Sequence, residues 1–348
     1  MKISNKIQIS KKSKPLLVAE VSANHSGNKS RFLKHIIEAK NSGADLVKIQ
    51  TYEENKICCD PINLKKSSNM FNETKKLYNL YKKSKTPFKW HKDAFNLAKK
   101  NKIELFSTPF SIDSVDFLEK FNPKIYKISS FEITDYQLVS KIASLKKPII
   151  ISSGMATLSE VKRCVGWINK FHNRIIILYC VSGYPTPENQ LNLNSIKIFK
   201  ENFKKNLIGL SDHTNDIFSS LAASTIPVSL IEKHFIIDNK KTFDSKFSIN
   251  PAQLNQLSVG LKKISKAFGV DKIFLKRSEK KNIKFRRSIF AKKFIEKGQL
   301  IKEEDLITFR PKIGICASKF NQVVGNKSKK NILKLKPIYK KDLFKSLK

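Results

Sequence analysis

The chain has no long hydrophobic run, little arginine and no paired cysteine spacing, and each shortage removes a class of protein. Among the 348 residues, no apolar stretch approaches the roughly 18 residues that a membrane helix needs. Basic Lys11, Lys12 and Lys14 ahead of Leu16, Leu17 and Val18 imitate a secretion signal. Glu20 ends that apolar run after a few residues, so the segment reads as a first buried strand. Cys58, Cys59, Cys164, Cys180 and Cys316 include one adjacent pair and no CxxC spacing. They suggest neither a disulfide framework nor a thiolate metal site, and they fit a reducing, cytoplasmic compartment.

Positive charge is abundant. The net charge of +39 invites a nucleic-acid partner. Of the 68 basic residues, however, only seven are arginine (Arg31, Arg163, Arg174, Arg277, Arg286, Arg287, Arg310), and the 61 lysines are spread over the whole chain. Arginine is the preferred reader of base edges, and no recognition motif accompanies it. The expectation is a lysine-rich surface with no nucleic acid and no membrane partner, whose field helps to gather an anionic substrate.

With 40% hydrophobic residues there is enough apolar material for one large core and one small one. Short apolar runs recur at 16–21, 46–49, 103–106, 125–128, 148–151, 175–180, 207–210 and 228–235, each followed by a stretch that reads as an amphipathic helix. Eight strand-helix alternations with mostly continuous apolar strands predict a closed parallel (β/α)8 TIM barrel; a doubly wound open sheet is the competitor. A polar, lysine-rich insertion at about 59–90 suggests helices over a barrel face. Residues 246–268 read as a further helix. The expected domains are a barrel at 1–270, a charged linker at 271–284 and a small β-rich domain at 285–348, punctuated by Gly298, Pro311, Gly314, Gly325 and Pro337. Its apolar pieces lie at 288–291, 306–309, 323–324 and 332–335.

In such a barrel the active site forms at the C-terminal ends of the strands. The polar residues there are Glu20, Asn24 and His25; Lys48 and Gln50; Ser107 and Thr108; Lys127, Ser129, Ser130 and Glu132; Ser152 and Ser153; Ser182 and Tyr184; Ser211, Asp212 and His213; Glu232, Lys233 and His234. Lys48 and Lys127 stand inside apolar strands, where an ammonium is costly unless it meets an anion. Nearby hydroxyls suggest a bound phosphate or carboxylate; the alternative is a salt bridge to Glu20 or Glu132. His213 and His234 end neighbouring strands and could share a metal ion, Mn²⁺, Co²⁺, Fe²⁺ or Zn²⁺ before Mg²⁺. Spacing alone leaves open that they are hydrogen-bonded core residues. His25 reads as structural, as do His35, His91 and His172. Glu132 is either a general base or the counterion of Lys127.

These residues sit in segments that resemble the sialic acid synthase family: AEVSANHSGN (19–28), DLVKIQTY (45–52), FSTPF (106–110), YKISSFE (126–132), ISSGMAT (151–157), YPTP (184–187), GLSDHT (209–214) and IEKHF (231–235). RRSIFAKKFIEKGQLI (286–301) and FRPKIGI (309–315) resemble the antifreeze-like (SAF) domain that closes these enzymes. KTPFKWH (85–91) and DSKFS (244–248) resemble the pseudaminic acid branch, and Ser182 stands where sialic acid synthases commonly carry Asn.

The resemblance implies a transferase that condenses phosphoenolpyruvate with an acetamido-deoxy sugar, namely 2,4-diacetamido-2,4,6-trideoxy-L-altrose in that branch. N-acetylmannosamine or the legionaminic acid precursor are the rival sugars. It implies that His213 and His234 bind a divalent metal, with Mn²⁺ expected and Mg²⁺ or Co²⁺ as alternatives. Lys48, Thr108, Lys127, Ser130, Ser152 and Ser211 would hold phosphoenolpyruvate. Gln50, Tyr184 and Asp244 would face the sugar together with Glu20, and Glu132 would be the acid-base group. It also implies a domain-swapped homodimer in which Arg310 reaches over the other chain's barrel. A keto-deoxy sugar acid synthase would leave residues 285–348 unexplained, and a non-catalytic carbohydrate- or nucleic-acid-binding protein would leave the polar set without a role.

Overall fold

The computed structural model describes residues 1–3, 7–10, 14–64, 69–270 and 272–345. Lys11, Lys12, Asp271 and part of the 59–90 insertion therefore lie outside the described residues. The chain divides into two compact units, Met1–Gly269 and Val270–Lys348.

The first unit is the expected barrel. Its strands are β1 (Leu16–Glu20), β2 (Leu46–Thr51), β3 (Glu104–Pro109), β4 (Tyr126–Ile128), β5 (Ile149–Ser152), β6 (Ile175–Cys180), β7 (Leu207–Asp212) and β8 (Leu230–His234). All neighbours pair in parallel, and β8 closes on β1 with Glu20 opposite His234. The strands are largely apolar because both faces are covered. Outward residues such as Leu17, Val47, Ile151 and Ile177 pack with Ile36, Leu138, Val161 and other helix residues in the outer core. Each such side chain contributes about 1.5–3 kcal/mol by leaving water.

Inward residues change character along each strand, and this change positions the site. Near the bottom, Leu16, Val18, Leu46, Phe106, Ile125, Ile150, Ile176 and Leu230 form an inner core, sealed by Ile3 and Ile9. Two residues further along, at the side-chain period of a strand, the same inward rows carry Glu20, Lys48, Thr108, Lys127, Ser152 and Glu232. Gly209 of β7 falls in this crowded interior. A Cβ there would come within 2.4 Å of the Leu230 carbonyl oxygen and 2.6 Å of Leu178.

The insertion after β2 contains the helix Asn69–Ser84 between short 3-10 turns at Pro61–Asn63 and Phe88–Trp90. The helix expected from residue 246 begins instead at Pro251 and runs to Phe268. Asn250 caps it by accepting from the Gln253 amide while Gln253 answers the Asn250 amide, and Pro251 supplies a preset first φ. Ser245–Phe247 is a separate 3-10 turn.

The second unit holds an antiparallel pair, β9 (Ser288–Ala291) and β10 (Leu306–Phe309), over a core that includes Ile289, Ile295, Ile301, Ile315, Val323, Ile332 and Ile338. Of the four apolar pieces expected there, the first two are these strands. Val323 ends the helical turn Phe320–Val323, and Ile332 makes an isolated bridge to Ile295. Arg277–Phe285 forms a 3-10 helix within the stretch read as a linker. No described helix is long and apolar enough to cross a membrane.

Candidate active site

A cavity of about 510 Å³ opens at the C-terminal end of the barrel, within the range of pockets that enclose small ligands. Lys48, Gln50, Thr108, Lys127, Ser130, Glu132, Ser152, Tyr184, Ser211, His213, His234 and Asp244 all line it. Of the expected site residues, two do not. Glu20 is fully buried just below the floor, and Arg310 belongs to the second unit.

The two lysines meet a carboxylate that the sequence displayed without showing its role. Glu232 Oε1 accepts from Lys48 Nζ at 3.0 Å, from Lys127 Nζ at 3.0 Å and from Ser211 Oγ at 3.0 Å. Lys48 also pairs with Glu20 at 3.2 Å. The salt-bridge alternative thus holds for Lys48 and Glu20, whereas the partner of Lys127 is Glu232 and not Glu132. Burial opposes the charge of Glu232, but Lys127 and Lys48 outweigh it and hold the carboxyl below its usual range. Burial pushes Glu20 up to about 7 against the pull of Lys48. Lys48, with two carboxylates, is raised despite its burial; Lys127, with one, is lowered by it. The floor therefore carries two ammonium groups against the ionised Glu232 and a Glu20 whose charge burial disfavours, which favours an incoming anion.

Hydroxyls surround that excess. Ser130 Oγ accepts from the Gly154 amide at 3.0 Å and contacts Cys180 Sγ at 3.7 Å. Thr108 Oγ1 and Ser152 Oγ are buried without a hydrogen-bond partner among the described residues. Buried hydroxyls are ordinarily partnered, so these two are free for an incoming acceptor such as a carboxylate or phosphate oxygen.

The imidazoles of His213 and His234 lie side by side, with ring centroids 5.3 Å apart. His213 Nδ1 donates to the Val181 carbonyl at 2.8 Å, which leaves Nε2 with its lone pair. Burial alone would lower His213, but Cys180 and the Val181 carbonyl outweigh it and raise it. His234 is driven well below its usual value by burial and by the neighbouring His213 and Lys48. Its Nδ1 is buried without a partner among the described residues. A neutral imidazole with an orphaned nitrogen beside a second, carbonyl-oriented imidazole fits a divalent transition ion. Among the described residues no group of three or more His, Cys, Asp and Glu side chains gathers, so such an ion would keep open positions.

Glu132, in the turn after β4, accepts from Ser129 Oγ. Burial pushes it up to about 7 although that hydrogen bond and Lys127 pull it down, which suits a proton acceptor near neutrality. Above the floor, Tyr184 lies 4.4 Å from His213 ring to ring. Asp244 accepts from the Ala23 amide at 3.1 Å, while Gln50 donates to Glu20 and Ser22. The other histidines are elsewhere: His25 packs edge-on against Phe32 and Trp90, His35 donates to the Arg31 carbonyl, and His91 bonds Thr51. None of them, nor His172, lines the cavity.

The sequence named Glu232 without its role and set helices of the insertion over a barrel face without saying which residues line the cavity. Glu232 shares its inward row with Ser211, its β7 neighbour in register, and the alternation that flagged the lysines flags it too. The far wall, from Ile57, Leu77, Leu80 and Tyr81 of the insertion, had no strand-end signal.

The NeuB family model matches residues 35–272, and the SAF domain model matches 286–343. The chain is 36% identical over 325 residues to a pseudaminic acid synthase of Campylobacter jejuni, covering 92% of this chain and 94% of that one. An N,N'-diacetyllegionaminic acid synthase of the same species is 37% identical over 329 residues, with 91% and 97% covered. The crystal structure of an N-acetylneuraminic acid synthetase from Leptospira borgpetersenii, solved with citrate, superposes with a TM-score of 0.72 at 29% identity and covers 80% of this chain and 94% of that one. The family model spans well over half of the chain, and the chain is an enzyme, a nonulosonic acid synthase that belongs to the NeuB family.

Proposed function

We propose that this enzyme is a pseudaminic acid synthase, which condenses phosphoenolpyruvate with 2,4-diacetamido-2,4,6-trideoxy-L-altrose to give pseudaminic acid and phosphate. The observation that carries the reading is the shared floor: two ammonium groups and unpartnered hydroxyls stand beside two imidazoles in one cavity. Likeness to pseudaminic acid synthases of Campylobacter jejuni and Helicobacter pylori, both 36% identical, supports the branch. The legionaminic acid synthase relative makes its sugar the alternative.

Lys48 and Lys127 hold the anionic ends of phosphoenolpyruvate, while Thr108, Ser130 and Ser152, joined by Ser211 once its hydroxyl turns from Glu232, donate to its oxygens and fix carbon 3 toward the sugar aldehyde. Gln50, Tyr184 and Asp244 bind the sugar, and Glu20 steadies Gln50 and Lys48 from below. His213 and His234 would hold a divalent ion, Mn²⁺ before Mg²⁺ or Co²⁺, whose chemistry is Lewis-acid polarisation of the carbonyl. Carbon 3 forms the new bond to the aldehyde carbon, and positive charge develops at carbon 2. Glu132 takes a proton from the water that adds to carbon 2, and that proton ends on the former aldehyde oxygen; the bond from carbon 2 to the phosphate oxygen then breaks, phosphate leaves with the electron pair and the second proton of the water, and carbon 2 becomes a carbonyl. The same reading carries a homodimer in which Arg310 of one chain serves the other's cavity. Mixing inactive Arg310→Ala with inactive Glu132→Gln restores activity if that exchange occurs.

Phosphate release from phosphoenolpyruvate, measured with the altrose derivative, the legionaminic acid precursor and N-acetylmannosamine in turn, tests the assignment. Turnover with N-acetylmannosamine alone would remove it.

A further inference from the structure

The insertion after β2 builds a wall of the cavity that the reaction itself does not require. Leu77, Leu80, Tyr81 and Ser84 of the helix Asn69–Ser84 all line the cavity. Their spacing of three, four and seven places them on one helical stripe. Ile57, Tyr52 and Phe110 continue the apolar surface. Leu77 and Leu80 are each 43% exposed, so the stripe is not consumed by packing within the unit.

The wall offers few polar groups. Ser84 Oγ donates to the Leu80 carbonyl at 2.8 Å and accepts from the Tyr52 hydroxyl at 2.9 Å, which uses both hydroxyl protons and leaves the Tyr81 hydroxyl as the polar tip of the stripe. A sugar hydroxyl pressed against Leu77 and Leu80 would lose water without replacement, whereas a methyl group there removes apolar surface from water on both sides. The reacting carbonyl belongs at the floor, beside His213, His234 and Lys127. The insertion rises from the C-terminal end of β2 and lines the same cavity as the floor, so its stripe borders the space that an extended open-chain sugar would fill.

We infer that the stripe Leu77–Leu80–Tyr81 is a specificity determinant that selects acetamido sugars carrying a methyl at carbon 6 over sugars hydroxylated there. This rests on the synthase reading of the same cavity and adds the part of the wall that recognises the substrate class. It separates both 2,4-diacetamido-2,4,6-trideoxy sugars from N-acetylmannosamine, and it does not depend on which of the two trideoxy stereoisomers the enzyme prefers.

The test compares kcat/KM for a 2,4-diacetamido-2,4,6-trideoxy sugar and for N-acetylmannosamine in the wild-type enzyme, in Leu77→Asn/Leu80→Gln and in the conservative Leu77→Ile/Leu80→Met. Both leucines are partly exposed, so the polar variant folds, which its thermal midpoint checks. The expected result is a wild-type preference for the trideoxy sugar that shrinks on the order of 10-fold or more in the polar variant, chiefly through KM for the sugar. The conservative variant retains the preference. A folded polar variant with an unchanged preference ratio would overturn the wall's role while leaving the synthase intact. Wild-type turnover of N-acetylmannosamine alone would instead overturn the branch on which the inference stands.

Discussion

Two buried charge clusters lie back to back on β7 and β8, one residue apart in register. On the inner face, Ser211 and Glu232 meet Lys48 and Lys127, with Thr108, Ser152 and His234 left incompletely bonded. On the outer face, Asp212 and Lys233 are fully buried and pair at 3.1 Å. Lys233 also donates to the Thr214 carbonyl at 2.6 Å and to its hydroxyl at 3.1 Å. Asp212 accepts from the Thr214 amide and hydroxyl at 2.8 Å each and from Ser220 Oγ at 2.5 Å. The outer cluster is closed, and the inner one awaits partners. Burial is common to both, so satisfaction of the polar groups, more than burial, separates a brace from a binding site.

The contrast can be broken from either side. His234→Ala should cost several kcal/mol of barrier stabilisation, on the order of 10³- to 10⁴-fold in turnover. The folded protein should also lose the thermal shift expected from Mn²⁺ under the proposed metal site. Undiminished Mn²⁺ binding would contradict the ligand role. Lys233→Met on the opposite face should instead lower stability by about 3–5 kcal/mol in urea unfolding, because it strands a buried carboxylate. Replacing both partners, as Asp212→Leu/Lys233→Met, should cost much less, and equal losses in the two variants would show that the pair is not a closed unit.

Glu132→Gln should lower kcat by roughly 10²-fold or more while phosphoenolpyruvate still binds by calorimetry; wild-type turnover would take Glu132 out of the mechanism. Smallest is a pH effect. With Glu132 raised to about 7, the proton-accepting form is populated above that value, and kcat should fall as pH drops through it. The stability linkage of the same group has the opposite slope. A carboxyl raised in the folded state stabilises folding below its ordinary range and loses that contribution as pH climbs toward 7. Glu232, held low by its lysines, contributes above its ordinary range and loses that contribution progressively as pH falls from there into strong acid. A kcat profile flat between pH 6 and 8, roughly one unit either side of that value, would mean that Glu132 is not the proton acceptor.

Much of the barrel was legible because its signals are local. A continuous apolar run such as Ile175–Cys180 must be covered on both faces, and eight such runs close a ring. The alternation at each strand end also put Lys48, Lys127, His213 and His234 on view. The pairing of Glu232 was not legible, because its partners come from strands 105 and 184 residues away. Nothing in the periodicity of Asn69–Ser84 says that its apolar stripe faces a cavity instead of a core. The start of the last barrel helix at Pro251 was legible in principle from the capping residue Asn250 and from Pro251 at the first helical position.

The amino-acid sequence alone determined the strand runs, the side-chain types at their ends and the family motifs, because period and composition act between near neighbours. Only the closed ring decided which carboxylate meets which ammonium, which hydroxyls are left without partners and which helix face overlooks the cavity. Those depend on distances between residues far apart in the chain, and such distances exist only once all eight strands are joined.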